Sequence, residues 1–549
     1  MTPAITFEPD GYLPKDGWLM GRQSAGAGFL RAAVAGRGDG PVVAFTPWQG
    51  SAGIFRRTVQ AIDPDAPTEW IPGQRLDLLA ARGLLYRPDQ VLGPSARQRL
   101  RLGPAAYSLC GVTHTLATSF TLDAIAKIVV EPLMPWDALI CTSRAALAAV
   151  TVVLDHAEDH LRWRAKEAQV PPRLMLPVIP LGVHTADFSF SDEDRAAARS
   201  RLKLAADEVA VLSAGRLSLN GKAHPYAIFK ALQSVAVETG RPLALVLAGQ
   251  AFNKTIVETF ETAAAAICPD VRTVFVDGKA AEDYRAAWAG ADIFISLADS
   301  IQETFGLTPL EAMASGLPAL VSDWDGYRDT VRDGLDGFRI PTWAPAPGGG
   351  QVIAHDYEIG LSRYEEYLYQ SNAAVALDQR QLHERLRDLV LDEGLRRRLG
   401  AAGQAHARDT FDWSVVYAGY QALWAEQAAL RDRAATDPGA RARLDRAPRR
   451  GSDHMGPFDT FASYPTRHVG PATLATLAID LEPDAYKALI EHPILAYWNV
   501  TPAAYGIVRG ALQAGPASVE ALAGATGLPA PAVIEVVARL AKLGILTLS

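Results

Sequence analysis

Between residues 40 and 340, short apolar runs bounded by turn residues alternate with longer stretches of helical periodicity. This is the pattern of parallel strands with helices packed on both faces. The candidate strands are PVVAFTP, AAYSLCGV, DALICTS, LMLPVIPLG, EVAVLSAG, LALVLAG, VRTVFV, ADIFISLA and PALVSD. PPRLMLPVIPLGVHTADF ends one run before SDEDRAAARSRLKL opens the next as a helix. Two doubly wound α/β domains are therefore expected, residues 1–185 and 186–410, with ligand between them at the carboxyl ends of the strands. Past residue 375 the pattern is helical, and Trp413, Val416, Tyr420 and Leu423 form a stripe on a helix over 411–433 that crosses back to the first domain. Residues 434–457, rich in Pro, Gly and Arg, read as an exposed linker, and 458–549 as a separate terminal domain. PTWAPAPGGG reads as a surface excursion of the second domain, and FDTFASYPTRH has no assignable pattern.

Composition narrows the class. The chain has 549 residues, 49% apolar and 21% charged, as expected of a folded soluble protein of several domains. With 53 basic and 61 acidic residues the net charge is −8, so no global positive field exists to hold a nucleic acid or an anionic membrane. Cys110, Cys141 and Cys268 lie far apart without CxxC spacing, which argues against a disulfide framework and a structural zinc site. No basic region followed by an apolar run opens the chain, and no apolar stretch reaches the roughly 18 residues of a membrane span. The expectation is a soluble, unprocessed, cytoplasmic protein.

Chemistry concentrates in two segments. In ADSIQETFGLTPLEAMASGLP a strand runs into a short helix that Thr308 can cap and Pro309 can start, so the amides near Gly306, Leu307 and Thr308 would favour a phosphate. Glu303 and Glu311, eight positions apart, can both approach one ligand and accept bonds from sugar hydroxyls, although Thr308-x-x-Glu311 is equally a capping box that needs no ligand. In VAVLSAGRLSLNGKAHPYAIFKAL, Arg216 and Lys222 follow a strand's carboxyl end, where two fixed cations can stabilise a leaving diphosphate. Asp323-Trp-Asp325 has the D-x-D shape of a metal site but ends a short strand, and no histidine spacing suggests zinc. Asp299 and Ser300 are in reach of a donor as well, although the polarity of an exposed surface accounts for them without one.

VLSAGRLSLNGK and ETFGLTPLEAMASGLPALVSDWDGYRDTVRDGLDGFRI resemble the retaining nucleotide-sugar glycosyltransferases of family 4, also called group 1, over roughly residues 15–430. The resemblance implies a GT-B fold, two Rossmann-like domains around a cleft. It also implies an E-x7-E motif at Glu303 and Glu311, no metal, and no cofactor beyond the nucleotide diphosphate sugar itself. By it, Arg216 and Lys222 hold the donor diphosphate, Glu311 the ribose, and Glu303 the donor-sugar hydroxyls. Phe305, Gly306 and Leu307 form the turn beside the phosphates and sugar, next to the Thr308 amide named above. His114, in YSLCGVTHTLA, positions the donor sugar. The glycines of GRQSAGAGFLRA, Gly26 and Gly28, face the cleft in a loop before a helix. VIPLGVHTADF resembles the interdomain segment, with His184 where an acidic residue is common.

From Thr501 onward three helices and a short strand are expected, resembling a winged helix. Arg509, Arg539 and Lys542 against Glu520 and Glu535 disfavour nucleic-acid binding and leave a protein partner or dimerisation as the domain's role. The reading is transfer of a sugar from a nucleotide sugar to an acceptor hydroxyl with retention, in glycan or glycoconjugate biosynthesis. The alternatives are a peptide or protein O-glycosyltransferase that recruits its acceptor through the terminal domain, and a non-catalytic sugar-nucleotide sensor.

Overall fold

The computed structural model describes residues 2–14, 21–166 and 169–549; residues 15–20, where the family resemblance begins, lie outside them. The chain forms two compact units, Met1–Gly451 and Ser452–Ser549. In the first unit, β1 (Ala4–Thr6), β2 (Val42–Thr46), β3 (Thr68–Pro72), β4 (Leu84–Tyr86), β5 (Ser108–Val112) and β6 (Ala138–Ile140) form a parallel sheet of order 3-2-1-4-5-6. The second sheet contains β7 (Val209–Ala214), β8 (Leu243–Gly249), β9 (Arg272–Asp277), β10 (Ile293–Ser296), β11 (Ala319–Ser322) and β12 (Gly337–Ile340). Its order, 12-11-10-7-8-9, repeats the same winding. Each sheet therefore has one switch point, between β1 and β4 and between β7 and β10, where the connections diverge and leave a crevice for ligand. The architecture is the one that the resemblance implies.

The expected strands recur with one correction. LMLPVIPLG is not a strand: Met175 and Val178 make only isolated bridges to Ala138 and Cys141. Its two prolines lack the N–H that a ladder needs. β1, β3, β4 and β12 were not among the expected strands. Two of them are only three residues long, and β3, on the sheet edge, is only partly buried and carries a terminal proline. Such segments become strands because their neighbours pair with them, not through periodicity of their own.

Two chain crossings join the domains and are bonded to each other: Val183 N–H donates to Phe411 (2.8 Å) and Trp413 N–H to Val183 (3.0 Å). Asp412 caps the helix Trp413–Thr436 at Ser414 and accepts the Thr185 hydroxyl at 2.6 Å. That helix packs Trp413, Tyr417, Tyr420 and Trp424 around Phe29 and Tyr86 of the first domain. Within the segment read as linker, Pro438–Asp445 is helical because Asp437 caps it and Pro438 starts it, although none of its residues is buried.

The terminal unit has its own core, built on Tyr486, Tyr505, Val508, Val533, Val537 and Leu540. The helices Pro502–Leu512, Val519–Thr526 and Ala530–Lys542 precede the last strand as expected. The strand that organises them was missed. Leu474–Leu477 lies at the centre of a three-stranded antiparallel sheet, between Ala517–Ser518 and Leu546–Leu548. No single described helix is long and apolar enough to cross a membrane; one bent pair, Val519–Thr526 with Ala530–Lys542, passes by length and composition, and its apolar face fills this core.

Candidate functional site

The second sheet brings the two chemical segments together. Lys222 follows β7 and Glu303 follows β10; they are 81 residues apart in sequence, but β7 and β10 are neighbours. Their side chains form an ion pair, 32% and 11% exposed. The pair faces a cleft with a cavity of about 580 Å³. Arg216, Phe305, Gly306, Leu307, Thr308 and Glu311 line it from the second domain, and His114 lines it from the first. Arg216 has no ion-pair partner among the described residues, so its charge remains available to an anion.

Burial alone would raise the pKa of Glu303, but Lys222, the Thr304 amide and Arg216 outweigh it and hold the carboxyl below its ordinary value. Glu311 has only a weaker pull from Lys222, and burial pushes it up to about 7. The two carboxyls of one motif thus differ: Lys222 holds Glu303 in its charged form, whereas burial favours the protonated form of Glu311. Burial likewise lifts Asp299 to about 7, and one of its oxygens has no partner. The native state holds protons on these groups that the unfolded chain releases at the ordinary values of 4.5 and 3.8. The contribution of these two carboxyls to stability is therefore expected to fall as pH rises from about 4 to about 7. Glu311→Gln should flatten part of that decline in urea midpoints measured across the range; an unchanged slope would refute the burial of a protonated Glu311.

The turn before the helix Thr308–Ala314 is set by shape. Gly306 has φ +80°, and a Cβ there would lie 2.0 Å from the Tyr327 ring. Tyr327, itself buried, is fixed by a 2.8 Å hydrogen bond with Ser296 at the end of β10. Thr308 is the first helical residue rather than the cap. Leu307 holds the cap position in helical geometry without a side-chain bond, so no capping box forms. Glu311 is thereby free of that local role, and the first-turn amides lack intrahelical acceptors. Ser143 of the first domain donates to the Thr304 carbonyl at 2.7 Å, holding this turn against the opposite wall.

His114 Nε2 lies 2.8 Å from the Pro88 carbonyl, which can only accept, so that nitrogen carries the proton. Burial lowers its pKa, leaving a neutral ring whose Nδ1 can accept from a hydroxyl. Gly26 and Gly28 need correction. They lie inside the helix Gly21–Ala35, not in a loop before it, and neither lines the cleft. A Cβ on Gly26 would strike the Gly11 carbonyl at 2.2 Å and one on Gly28 the Trp413 indole at 2.5 Å, so both serve helix packing. His184 hydrogen-bonds the Gly28 carbonyl (3.1 Å), part of the same joint. Gly21, Arg22 and Ser24 of that helix's first turns line the cleft instead.

The sequence reading also missed the floor of the cleft. Gly215, Gly249 and Gly278 end β7, β8 and β9 or follow them directly, and a Cβ on Gly249 would sit 1.7 Å from the Gly215 carbonyl. The signal was present as three successive strands running into glycine. Tyr284, Arg285 and Trp288 complete this end, with Arg285 stacked 4.6 Å over the Phe190 ring. Asp323 lies 3.4 Å from Arg339, and Asp325 is raised by burial and then by the charge of Glu303. Neither lines the cavity, and no group of three or more metal-ligating side chains occurs among the described residues. The cysteines are buried, which pushes their thiols up to about 12 at Cys110 and Cys141 and about 11 at Cys268.

Residues 194–345, which hold all six strands of the second sheet, match the family model of the glycosyl transferases group 1. Among curated proteins, D-inositol 3-phosphate glycosyltransferase of Nocardia farcinica is 30% identical over 219 residues, 36% of this chain and 47% of that protein. The Streptomyces bingchenggensis protein of the same name is 29% identical over 342 residues, 60% of this chain and 62% of that one. The chain thus spans about half to three fifths of the length of these relatives. Among solved structures, Anabaena Alr3699/HepE in complex with UDP and glucose aligns with 77% of this chain and all of its own, at 17% identity and a TM-score of 0.49.

Proposed function

We propose that this protein is a retaining glycosyltransferase of the family 4 type, moving a sugar from a nucleotide diphosphate sugar to an acceptor hydroxyl in glycan or glycoconjugate assembly. The observation that carries the reading is the convergence, at the β7–β10 switch point, of Arg216 and Lys222 with Glu303 and Glu311 in one cleft faced by His114. The cations match a diphosphate, the carboxylates match hydroxyl donors, and the first-turn amides add donors for phosphate oxygens. The match to the group 1 family over the second domain supports the same assignment.

In this reading the bond from the anomeric carbon to the diphosphate oxygen breaks as the acceptor oxygen bonds to that carbon on the same face. The acceptor proton passes to the departing phosphate oxygen, so no side-chain base is required. Arg216 and Lys222 stabilise the charge that develops on the diphosphate. His114, neutral and with Nδ1 as an acceptor, orients a sugar hydroxyl. Glu311 holds the ribose diol, and the glycine floor admits the flat base. Walls from both domains exclude water and align the two substrates. The chemistry calls on no metal, and we assign the protein to the cytoplasm. The terminal unit is read as a winged-helix-like accessory module outside the donor chemistry, since every group above lies in Met1–Gly451.

Calorimetry with UDP, GDP and ADP, each with and without its sugar, tests the reading. Saturable binding of one nucleotide is expected, with transfer products of retained configuration by NMR. Binding of none would overturn it. Tight binding without transfer to broad acceptor pools would favour a sensor.

A further inference from the structure

The loop that carries Arg216 and Lys222 is anchored by a residue from a distant segment. Helix Tyr364–Ala373 belongs to the excursion that leaves the second domain after β12, and its Asn372 is buried. Asn372 Nδ2 donates to the Asn220 carbonyl at 2.5 Å, and the buried Ser300 hydroxyl donates to the same oxygen at 3.0 Å. Asn220 replies through Nδ2 to the Glu365 carbonyl (3.1 Å), while its Oδ1 accepts from Ser218 Oγ (2.9 Å), which in turn accepts from Gly221 N–H (2.9 Å). One carbonyl thus joins three segments: the Lys222 loop, the loop leading to Glu303, and the excursion.

The geometry matters because this loop has no regular structure between β7 and the helix Tyr226–Thr239. Leu217 N–H is held by Gln250 at 3.0 Å, and the next fixed point along the loop is the Asn220 cluster, two residues before Lys222. A lysine side chain has many rotamers, so the backbone beneath it must be set if its ammonium is to meet Glu303 and an incoming anion in one place. We propose that Asn372 is a positioning residue for the donor site. It clamps the Asn220 carbonyl beside Ser300 and so fixes the backbone from which Lys222 reaches Glu303. The excursion is then part of the donor site's support, not a surface ornament. The inference rests on the donor-cleft reading above.

Asn372→Leu keeps the side-chain volume and removes the donor. In the full unliganded chain, amide hydrogen exchange over residues 216–222 is expected to accelerate about tenfold, the effect of losing roughly one net hydrogen bond. The urea midpoint should fall by no more than the loss of that one bond accounts for. The Kd of whichever of UDP, GDP or ADP binds the wild type should rise by a similar factor, and Asn372→Gln, which retains an amide donor, should recover part of it. If Asn372→Leu does not fold, Ser300→Ala removes the second donor without touching the excursion and should give the same local acceleration. Unchanged exchange over 216–222 would overturn the proposal. Should the wild type bind no nucleotide, the donor reading fails, and the exchange experiment still decides whether Asn372 holds the loop.

Discussion

Replacing Lys222 by alanine is expected to slow sugar transfer by about 10²–10³-fold, the cost of removing one preorganised group that meets charge developing in the transition state. The effect should exceed the loss of ground-state affinity, because the diphosphate gains charge as the glycosidic bond breaks. A second consequence follows from burial. Lys222 is the ion-pair partner of Glu303, and burial by itself favours the protonated acid there. Without the ammonium, the Glu303 pKa should rise and the site should lose order. Glu303→Gln in the Lys222→Ala background is therefore expected to recover stability but not rate, separating the two roles. Single-turnover transfer with saturating donor, alongside urea denaturation, reads both quantities. Full transfer rate in Lys222→Ala with donor binding verified would remove Lys222 from the mechanism.

Asp137→Ala is expected to destabilise the Met1–Gly451 unit by about 3–5 kcal/mol, the usual cost of leaving a buried charge without its partner. Arg99 and Asp137 are both fully buried and share two bonds, 2.6 and 2.7 Å. Asp137 also accepts from the amides of Leu109 and Met134 at 2.8 Å each, and Arg99 donates to the carbonyls of Tyr107 (2.8 Å) and Pro132 (3.1 Å). The pair therefore stitches β5 to the turn that leads into β6. Removing Asp137 strands a guanidinium and two amides. Adding Arg99→Met should cost less than the sum of the single changes, since the unpaired cation disappears with it. Urea denaturation followed by tryptophan fluorescence, with Trp136 next to Asp137 as a reporter, measures this. A loss below about 1 kcal/mol would mean that the pair is hydrated in solution.

The sequence by itself determined the α/β class, the division into two wound domains, most central strands and the identity of the charged residues that the fold brings into one cleft. Those features are local: a buried strand such as LALVLAG is apolar throughout, and Arg216, Lys222 and Glu303 stand in loops, with Glu311 in the first turn of a short helix, where strand ends predict ligand. What needed tertiary structure was anything set by partners distant in the chain. The short strands Ala4–Thr6 and Leu84–Tyr86 exist because neighbours pair with them. Gly26 and Gly28 look like a ligand loop in one dimension, yet the fold presses them against Gly11 and Trp413. Thr308 and Glu311 have capping-box spacing, but the turn locked by Gly306 and Tyr327 moves the cap to Leu307 and leaves Glu311 to the cleft. The different states of Glu303 and Glu311 depend on which one the Lys222 ammonium reaches, and the support of Lys222 by Asn372 joins positions 150 residues apart through hydrogen bonds to Asn220. Periodicity records what a segment must bury; only the packed chain decides which groups it is buried against.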